Sequence, residues 1–246
     1  MSAATVTPQE LMTAAAARIL AGYGTCFAGI GLPSDAAILA QRTAAPDLFL
    51  IFESGVLGAR PSYLPLSVAD PALSRTALSV VGVPEIFNYW LQPGRLDVGV
   101  LGAAQIDRHA AINSTLIGGD YANPRLRLPG SGGAPEISAA CREIMVIVAQ
   151  SPRTFVADLD FVTTLGARSR TDLGLRGTGP RWVVTDLGIY EPDPDSGELL
   201  LTALQPGIDV AAARQATGWD LRVAAEVRTL DPPSPAELET LRSLAL

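Results

Sequence analysis

Lysine is missing from this 246-residue chain, whose 18 basic residues are all arginines. Its absence excludes Schiff-base catalysis and the phosphate-gripping lysine of nucleotide-binding loops. Histidine occurs once, at His109, with no serine or acidic partner at a recognisable spacing, so the sequence offers no catalytic triad. The two cysteines, Cys26 and Cys141, lie inside apolar segments without C-x-x-C spacing. They read as buried thiols, with no disulfide framework and no metal site. Positive charge is scarce overall: the net charge is −7 and the pI about 4.7, with no basic stripe, which excludes nucleic acid as a partner. No apolar run approaches the ~18 to 20 residues of a membrane span. The first residues lack the basic and apolar regions of a secretory signal, so the expected location is the cytoplasm.

What the chain has is core material. Hydrophobic residues make up 48% and the mean hydropathy is +0.27. With no membrane span to absorb it, that surplus is assigned to a large core and to a subunit interface. Thr7-Pro8-Gln9-Glu10 opens a first helix with a capping box, and Ser234 with Glu237 repeats the device before the last one. Short apolar strands are expected at Thr25–Ala28, Leu48–Phe52, Leu96–Gly102, Ile144–Ala149, Phe161–Thr164 and Trp182–Thr185, with helices between most of them. A helix capped by Ser34 or Asp35 follows Gly31. Glu85–Gln92 reads as a short helix whose Phe87, Tyr89 and Trp90 serve a core or an interface. Strands alternating with helices, without a linker-like shift in composition, predict one α/β domain over 1–246, a mostly parallel sheet covered by helices.

The stretch Leu48-Phe49-Leu50-Ile51-Phe52-Glu53-Ser54-Gly55 is the centre of the functional reading. Five apolar residues make a buried strand, and a carboxylate follows at its C-terminal edge, where open α/β sheets place ligands. Glu53 is therefore the candidate nucleophile, although a carboxylate after a strand can also be a helix cap or an ion-pair partner. Two glycine turns accompany it. Gly29-Ile30-Gly31-Leu32-Pro33 leads a strand into a helix, and Leu128-Pro129-Gly130-Ser131-Gly132-Gly133-Ala134 presents free amides to a negative oxygen. Each pattern alone is equally a plain turn or a loop.

Taken together these pieces resemble a known family. Gly29–Pro33, Glu53-Ser54-Gly55, Leu101-Gly102-Ala103-Ala104-Gln105-Ile106-Asp107-Arg108 and Gly130-Ser131-Gly132-Gly133-Ala134 occur in the order found in family I CoA-transferase β subunits. Val183–Asp186, Gln205-Pro206-Gly207 and Thr217-Gly218-Trp219 extend the likeness over nearly the whole chain. Ile86–Gln92 and the stretch from Glu53 to Pro65 lean toward β subunits acting on dicarboxylic acids, 3-oxoadipate first and glutaconate second. The chain departs where relatives read Arg-Tyr-Gly-Asn-Ile-Asn. It has Arg108-His109-Ala110-Ala111-Ile112-Asn113 there, and an extra glycine in Gly118-Gly119.

The resemblance implies a fold, a partner and a chemistry. Glu53 would carry CoA as a glutamyl thioester, moving it from an acyl-CoA such as succinyl-CoA to a carboxylic acid. Gly132 and Gly133 would supply the oxyanion and CoA contacts, with Gly29 and Gly31 lining the same cleft beside Ser54, Gly55 and Asn113. Arg60, Arg108, Arg125 or the partner would bind the distal carboxylate. The partner would be a homologous α subunit in an αβ or α2β2 assembly. No metal and no permanently bound cofactor is implied, coenzyme A being a cosubstrate. A CoA-thioester hydrolase or ring-cleaving enzyme on the same fold is the alternative reaction. A sugar-phosphate sensor would call for a DNA-binding segment and a basic face, which the chain lacks.

Overall fold

The structure is a computed structural model, and it describes residues 5–168 and 173–245. Its elements run α1 (Pro8–Leu20), β1 (Thr25–Ala28), α2 (Leu32–Arg42), β2 (Phe49–Ile51), β3 (Val56–Leu57), α3 (Pro71–Arg75) and β4 (Ser79–Val80). A short α4 (Val83–Glu85) continues into a π-helical stretch, Ile86–Leu91, followed by β5 (Val98–Leu101). Two hairpins come next, β6 (Gln105–Ile106) with β7 (Ile112–Asn113) and β8 (Leu116–Gly119) with β9 (Pro124–Arg127). The chain ends with α5 (Ala134–Ala140), β10 (Glu143–Ile147), β11 (Gly179–Val184), β12 (Gly188–Pro192), β13 (Leu199–Leu204), α6 (Val210–Gln215), β14 (Arg222–Thr229) and α7 (Pro235–Leu244).

Ten strands form one sheet in the order β14-β13-β12-β11-β10-β5-β1-β2-β3-β4. Its centre, β2-β1-β5-β10-β11, is parallel, and this explains why those strands are runs of buried apolar residues rather than alternating ones. Antiparallel β3 and β4 extend one edge, and β12 and β13 the other, with β14 parallel to β13. Helices α1, α2 and α7 cover one face around Leu20, Ile38, Leu39 and Phe52. The π-helical stretch and α5 lie on the other, with Ile86, Leu91 and Ile137 in its core. Gly99 in β5 makes this possible, since a Cβ there would lie 2.5 Å from Ile137 Cγ2 of α5.

The first and last helices lock each other. Glu10 and Glu237 each close a capping box, and each also holds an arginine of the other helix, Arg242 on Glu10 and Arg18 on Glu237. The arginine hydrogen bond is the main cause that draws both carboxyls down to about 2. Cys26 and Cys141 are free and buried, and burial pushes the Cys141 thiol up to about 12 and the Cys26 thiol up as well. Neither is a nucleophile in this state. Among the described residues, no helix is long and apolar enough to cross a membrane, and no group of three or more His, Cys, Asp or Glu could hold a metal.

Two local expectations are corrected. Neither Ser34 nor Asp35 caps α2: the helix starts one turn earlier on Gly31, at φ +89, and the Ser34 hydroxyl donates back to the Gly31 carbonyl. Phe161–Thr164 is not a strand. Thr163 and Thr164 both direct their N–H at the Ile112 carbonyl, leaving one isolated bridge in place of a ladder. The sequence reading also passed over β14, an edge strand whose side chains are mostly exposed and so leave no buried apolar signature.

Asp35, in the first turn of α2, gives a pH test of this packing. Burial raises its carboxyl to about 6, against the pull of the Ser34 hydroxyl bond. The unfolded carboxyl titrates near 3.8, so the desolvation penalty is absent below that pH, grows up to about 6 and is complete above it. Asp35→Asn is therefore expected to stabilise the protein by about 1–2 kcal/mol at pH 8 and by little at pH 4. Urea melts at the two pH values check this. An equal gain at both would place the effect elsewhere.

Candidate active site

The parallel strands bring their C-terminal ends to one edge. Phe27 of β1 pairs with Ile51 of β2, so the two strands end at the same edge, β1 running into Gly29 and β2 into the Phe52–Glu53 turn. Ala28 pairs with Val100, so β5 runs out on the other side, into Gly102. The chain turns sharply after Glu53: the Gly55 N–H donates to the Phe52 carbonyl at 3.1 Å, and the Phe52 N–H to Val56 at 3.0 Å. Glu53 itself is half-buried and has no hydrogen bond or ion pair among the described residues. The hydroxyl of Ser54 beside it is buried without a partner among them.

The second glycine turn lies directly against the carboxylate. A Cβ on Gly132 would be 3.8 Å and 3.9 Å from the two Glu53 oxygens, and one on Gly133 would be 3.3 Å from Oε1. Gly132 adopts φ +49 and Gly133 starts α5, so the loop stays glycine-thin where it faces Glu53. Glu53, Gly132 and Gly133, chosen from sequence, are therefore neighbours. Gly29 and Gly31 have other contacts: the Gly29 N–H donates to Val100 at 3.1 Å, and the Gly31 carbonyl accepts the Asp35 N–H at 2.9 Å. They shape the neighbouring strand end and the start of α2.

Asn113 is a wall, not a lining residue. It is fully buried, its Nδ2 donates to Gln105 Oε1 at 2.7 Å and to Leu116 O at 2.6 Å, and its Oδ1 accepts the Thr115 N–H at 2.9 Å. Gln105 in turn donates to Asp160 at 2.8 Å. From this network a hydroxyl chain reaches the glycine loop: Thr115 Oγ1 lies 2.8 Å from Thr163 Oγ1 and 3.1 Å from Ser131 Oγ. Sequence reasoning missed these supports, because a threonine in an irregular segment gives no periodic signal.

It saw Phe87 only as one member of an aromatic cluster. The ring packs edge-on against Phe27 at 6.4 Å, and the Gly133 backbone lies so close that a Cβ there would be 2.7 Å from Phe87 Cζ. The π-helical turn is what presents it, and such turns gather at functional sites. Of the candidate arginines, Arg60 donates to the Pro46 carbonyl at 2.6 Å. Arg108 is half-buried at the end of the Gly-Ala-Ala-Gln stretch. Arg125 lies over Gly118, where a Cβ would be 3.3 Å from its guanidinium carbon, and lines a cleft of about 550 Å³ with Gln105 and Arg153.

Gly133→Ala tests the loop. The backbone there has φ −83, which alanine accepts, so the effect is steric: the methyl drives Phe87 or the loop aside. The expected result is a kcat lowered by about 10- to 100-fold with about 1–3 kcal/mol lost in stability. Adding Phe87→Leu should restore part of the rate, and a double variant no faster than Gly133→Ala would contradict the contact.

The site is thus a carboxylate beyond the end of a parallel strand, set against a glycine loop, in an α/β fold with a mostly parallel central sheet. The chain belongs to the coenzyme A transferase family, whose sequence model matches residues 9–215. It is 51% identical over 239 residues to the B subunit of the 3-oxoadipate CoA-transferase of Pseudomonas knackmussii, covering 96% of this chain and 92% of that one. It is 34% identical to the B subunit of the glutaconate CoA-transferase of Acidaminococcus fermentans, covering 96% and 91%. The crystal structure of glutaconate coenzyme A-transferase from that organism superposes with a TM-score of 0.89, at 30% identity and 98% and 95% coverage. The decarboxylase AibA/AibB superposes at 0.84 with 25% identity, covering 98% and 95%, so related folds serve more than one reaction.

Proposed function

We propose that this chain is the nucleophile-bearing β subunit of a two-subunit CoA-transferase that moves CoA from an acyl-CoA such as succinyl-CoA to 3-oxoadipate. One observation carries the reading: the Glu53 carboxylate lies against Gly132 and Gly133 at the end of β2. The 51% identity to the matching subunit of a 3-oxoadipate enzyme favours that acid over glutaconate.

A Glu53 oxygen attacks the thioester carbonyl, the C–S bond breaks, and CoA leaves as the thiolate with a mixed acyl-glutamyl anhydride behind it. The thiolate attacks the glutamyl carbonyl, expelling the donor acid as its carboxylate and leaving CoA on Glu53 as a thioester. The acceptor carboxylate attacks that thioester, forming a new anhydride, and the released thiolate takes the acceptor acyl group. Glu53 is regenerated and no water is consumed. One difficult exchange is split into four easier steps. Amides near Gly132 and Gly133 are suited to stabilising the negative oxygen that each attack creates.

Both intermediates hydrolyse, so water has to be kept out. Glu53 is half-exposed on this chain, which supports a second subunit as the other wall. The test is exchange itself: the chain assembled with an α-type subunit, given succinyl-CoA and 3-oxoadipate, should form 3-oxoadipyl-CoA and succinate in equal amounts. Free CoA appearing without the new thioester would point to the hydrolase reading instead.

A further inference from the structure

The hydroxyl chain beside the glycine loop has a direction. Thr163 Oγ1 accepts the Ser114 N–H at 2.9 Å, and its own proton then has one partner left among the described residues, Thr115 Oγ1 at 2.8 Å. Thr163 is buried, and a buried hydroxyl proton is costly to leave without an acceptor, so Thr163 donates and Thr115 accepts. Thr115 is buried as well, and Ser131 Oγ at 3.1 Å is the remaining acceptor for its proton. The opposite direction would strand the Thr163 proton in the interior. The chain therefore runs from the Ser114 N–H through Thr163 and Thr115 to Ser131. It ends on a hydroxyl that accepts from Thr115 and whose proton has no acceptor among the described residues.

That last bond is not what holds the loop. The Leu128 N–H donates to the Thr115 carbonyl at 3.1 Å and the Gly130 N–H to the Ser114 carbonyl at 3.2 Å. The Ser114 hydroxyl donates to the Gly130 carbonyl at 3.1 Å. These bonds fasten the loop to Ser114 and Thr115 without using the Ser131 side chain. Ser131 carries the one side chain in Gly130-Ser131-Gly132-Gly133, and it is half-buried, at the margin of the interior. The next residue faces the nucleophile: a Cβ on Gly132 would be 3.8 Å from a Glu53 oxygen. An oriented donor thus ends one residue from the glycine that meets the reacting carboxylate.

We infer that the Ser131 hydroxyl is a further donor of the glycine loop, bonding the acyl oxygen that turns negative during attack at Glu53, and that Thr115 and Thr163 are the positioning residues that aim it. The inference rests on the transferase reading above. The proton stays on the serine throughout, as a hydrogen bond and not a transfer. Hydroxyls in a chain polarise one another, so the bond received from Thr115 strengthens the one that Ser131 gives. A donor held in place beforehand needs no reorganisation when the charge appears.

CoA exchange from succinyl-CoA to 3-oxoadipate, by the chain assembled with an α-type subunit, tests this. Ser131→Ala should lower kcat by about 100-fold, with the KM for succinyl-CoA altered by less than about twofold. Its melting temperature should stay within about 2 °C of the parent, because the loop keeps its other bonds. Thr115→Val keeps the volume but removes the hydroxyl, and should lower kcat by about tenfold. Thr115→Ser should recover most of that loss. The double variant Ser131→Ala/Thr115→Val should be no slower than Ser131→Ala alone, because Thr115 acts through Ser131. A Ser131→Ala enzyme within about threefold of the parent rate would overturn the donor, as would a loss carried by KM or by a fallen melting temperature. Losses that multiply in the double variant would overturn the chain that aims it. An unmodified pair that assembles but exchanges no CoA would overturn the transferase reading, and this inference with it.

Discussion

Replacing Glu53 by glutamine is expected to lower the rate of CoA exchange by about 10⁴-fold or more, because the amide cannot form the anhydride through which CoA is carried. The substitution changes one atom, and Glu53 makes no hydrogen bond or ion pair among the described residues. Stability should therefore stay within about 0.5 kcal/mol of the unmodified protein. The loss should appear in kcat, with the KM for acyl-CoA little altered, since the missing interaction exists only during reaction. Initial rates on the assembled enzyme, beside a thermal melt, separate the two. A variant within tenfold of the parent would remove Glu53 from the chemistry.

Gly55→Ala should produce the largest structural effect. Gly55 holds φ +99, a conformation that an L-residue resists, and its missing side chain is where the Val81 carbonyl sits: a Cβ would be 2.0 Å from that oxygen. Neither partner can yield cheaply, because the Val81 N–H is bonded to the Gly55 carbonyl and β4 is fixed by the same ladder. Strain and clash together are expected to cost about 4 kcal/mol, or roughly 8–15 °C in Tm. Gly31→Ala is the control: φ +89 and ψ −139 strain the backbone there too, but there is open space around the added methyl, and the cost should be lower, about 1–3 kcal/mol. Equal losses at the two positions would show that contact with Val81 is not what matters.

The sequence made the site's centre legible because its signals are local and unusual. A run of buried apolar residues ending in Glu53-Ser54-Gly55 says strand, carboxylate and turn at once, and the two glycine stretches are as distinct. Register then does the assembling, since parallel pairing of β1, β2 and β5 puts all their C-terminal ends on one edge. The supports were not legible. Thr115, Thr163 and Ser131 are distant in sequence and meet only through an irregular segment with no period. Phe87 was visible as an aromatic but not as the floor of the glycine loop, because a π-helical turn breaks the 3.6-residue spacing on which such an assignment rests. Asn113 was expected in the cleft from resemblance alone, and its amide is occupied by Gln105 and the β7–β8 turn.

The most direct test is to trap the covalent intermediate. The chain, assembled with an α-type subunit, is given succinyl-CoA, treated with borohydride and digested for mass spectrometry. If Glu53 carries CoA as a thioester, its side chain is reduced to an alcohol, and only when the acyl-CoA is present, because borohydride reduces a thioester and not a carboxylate. An unreduced Glu53 in an enzyme that is turning over would contradict it.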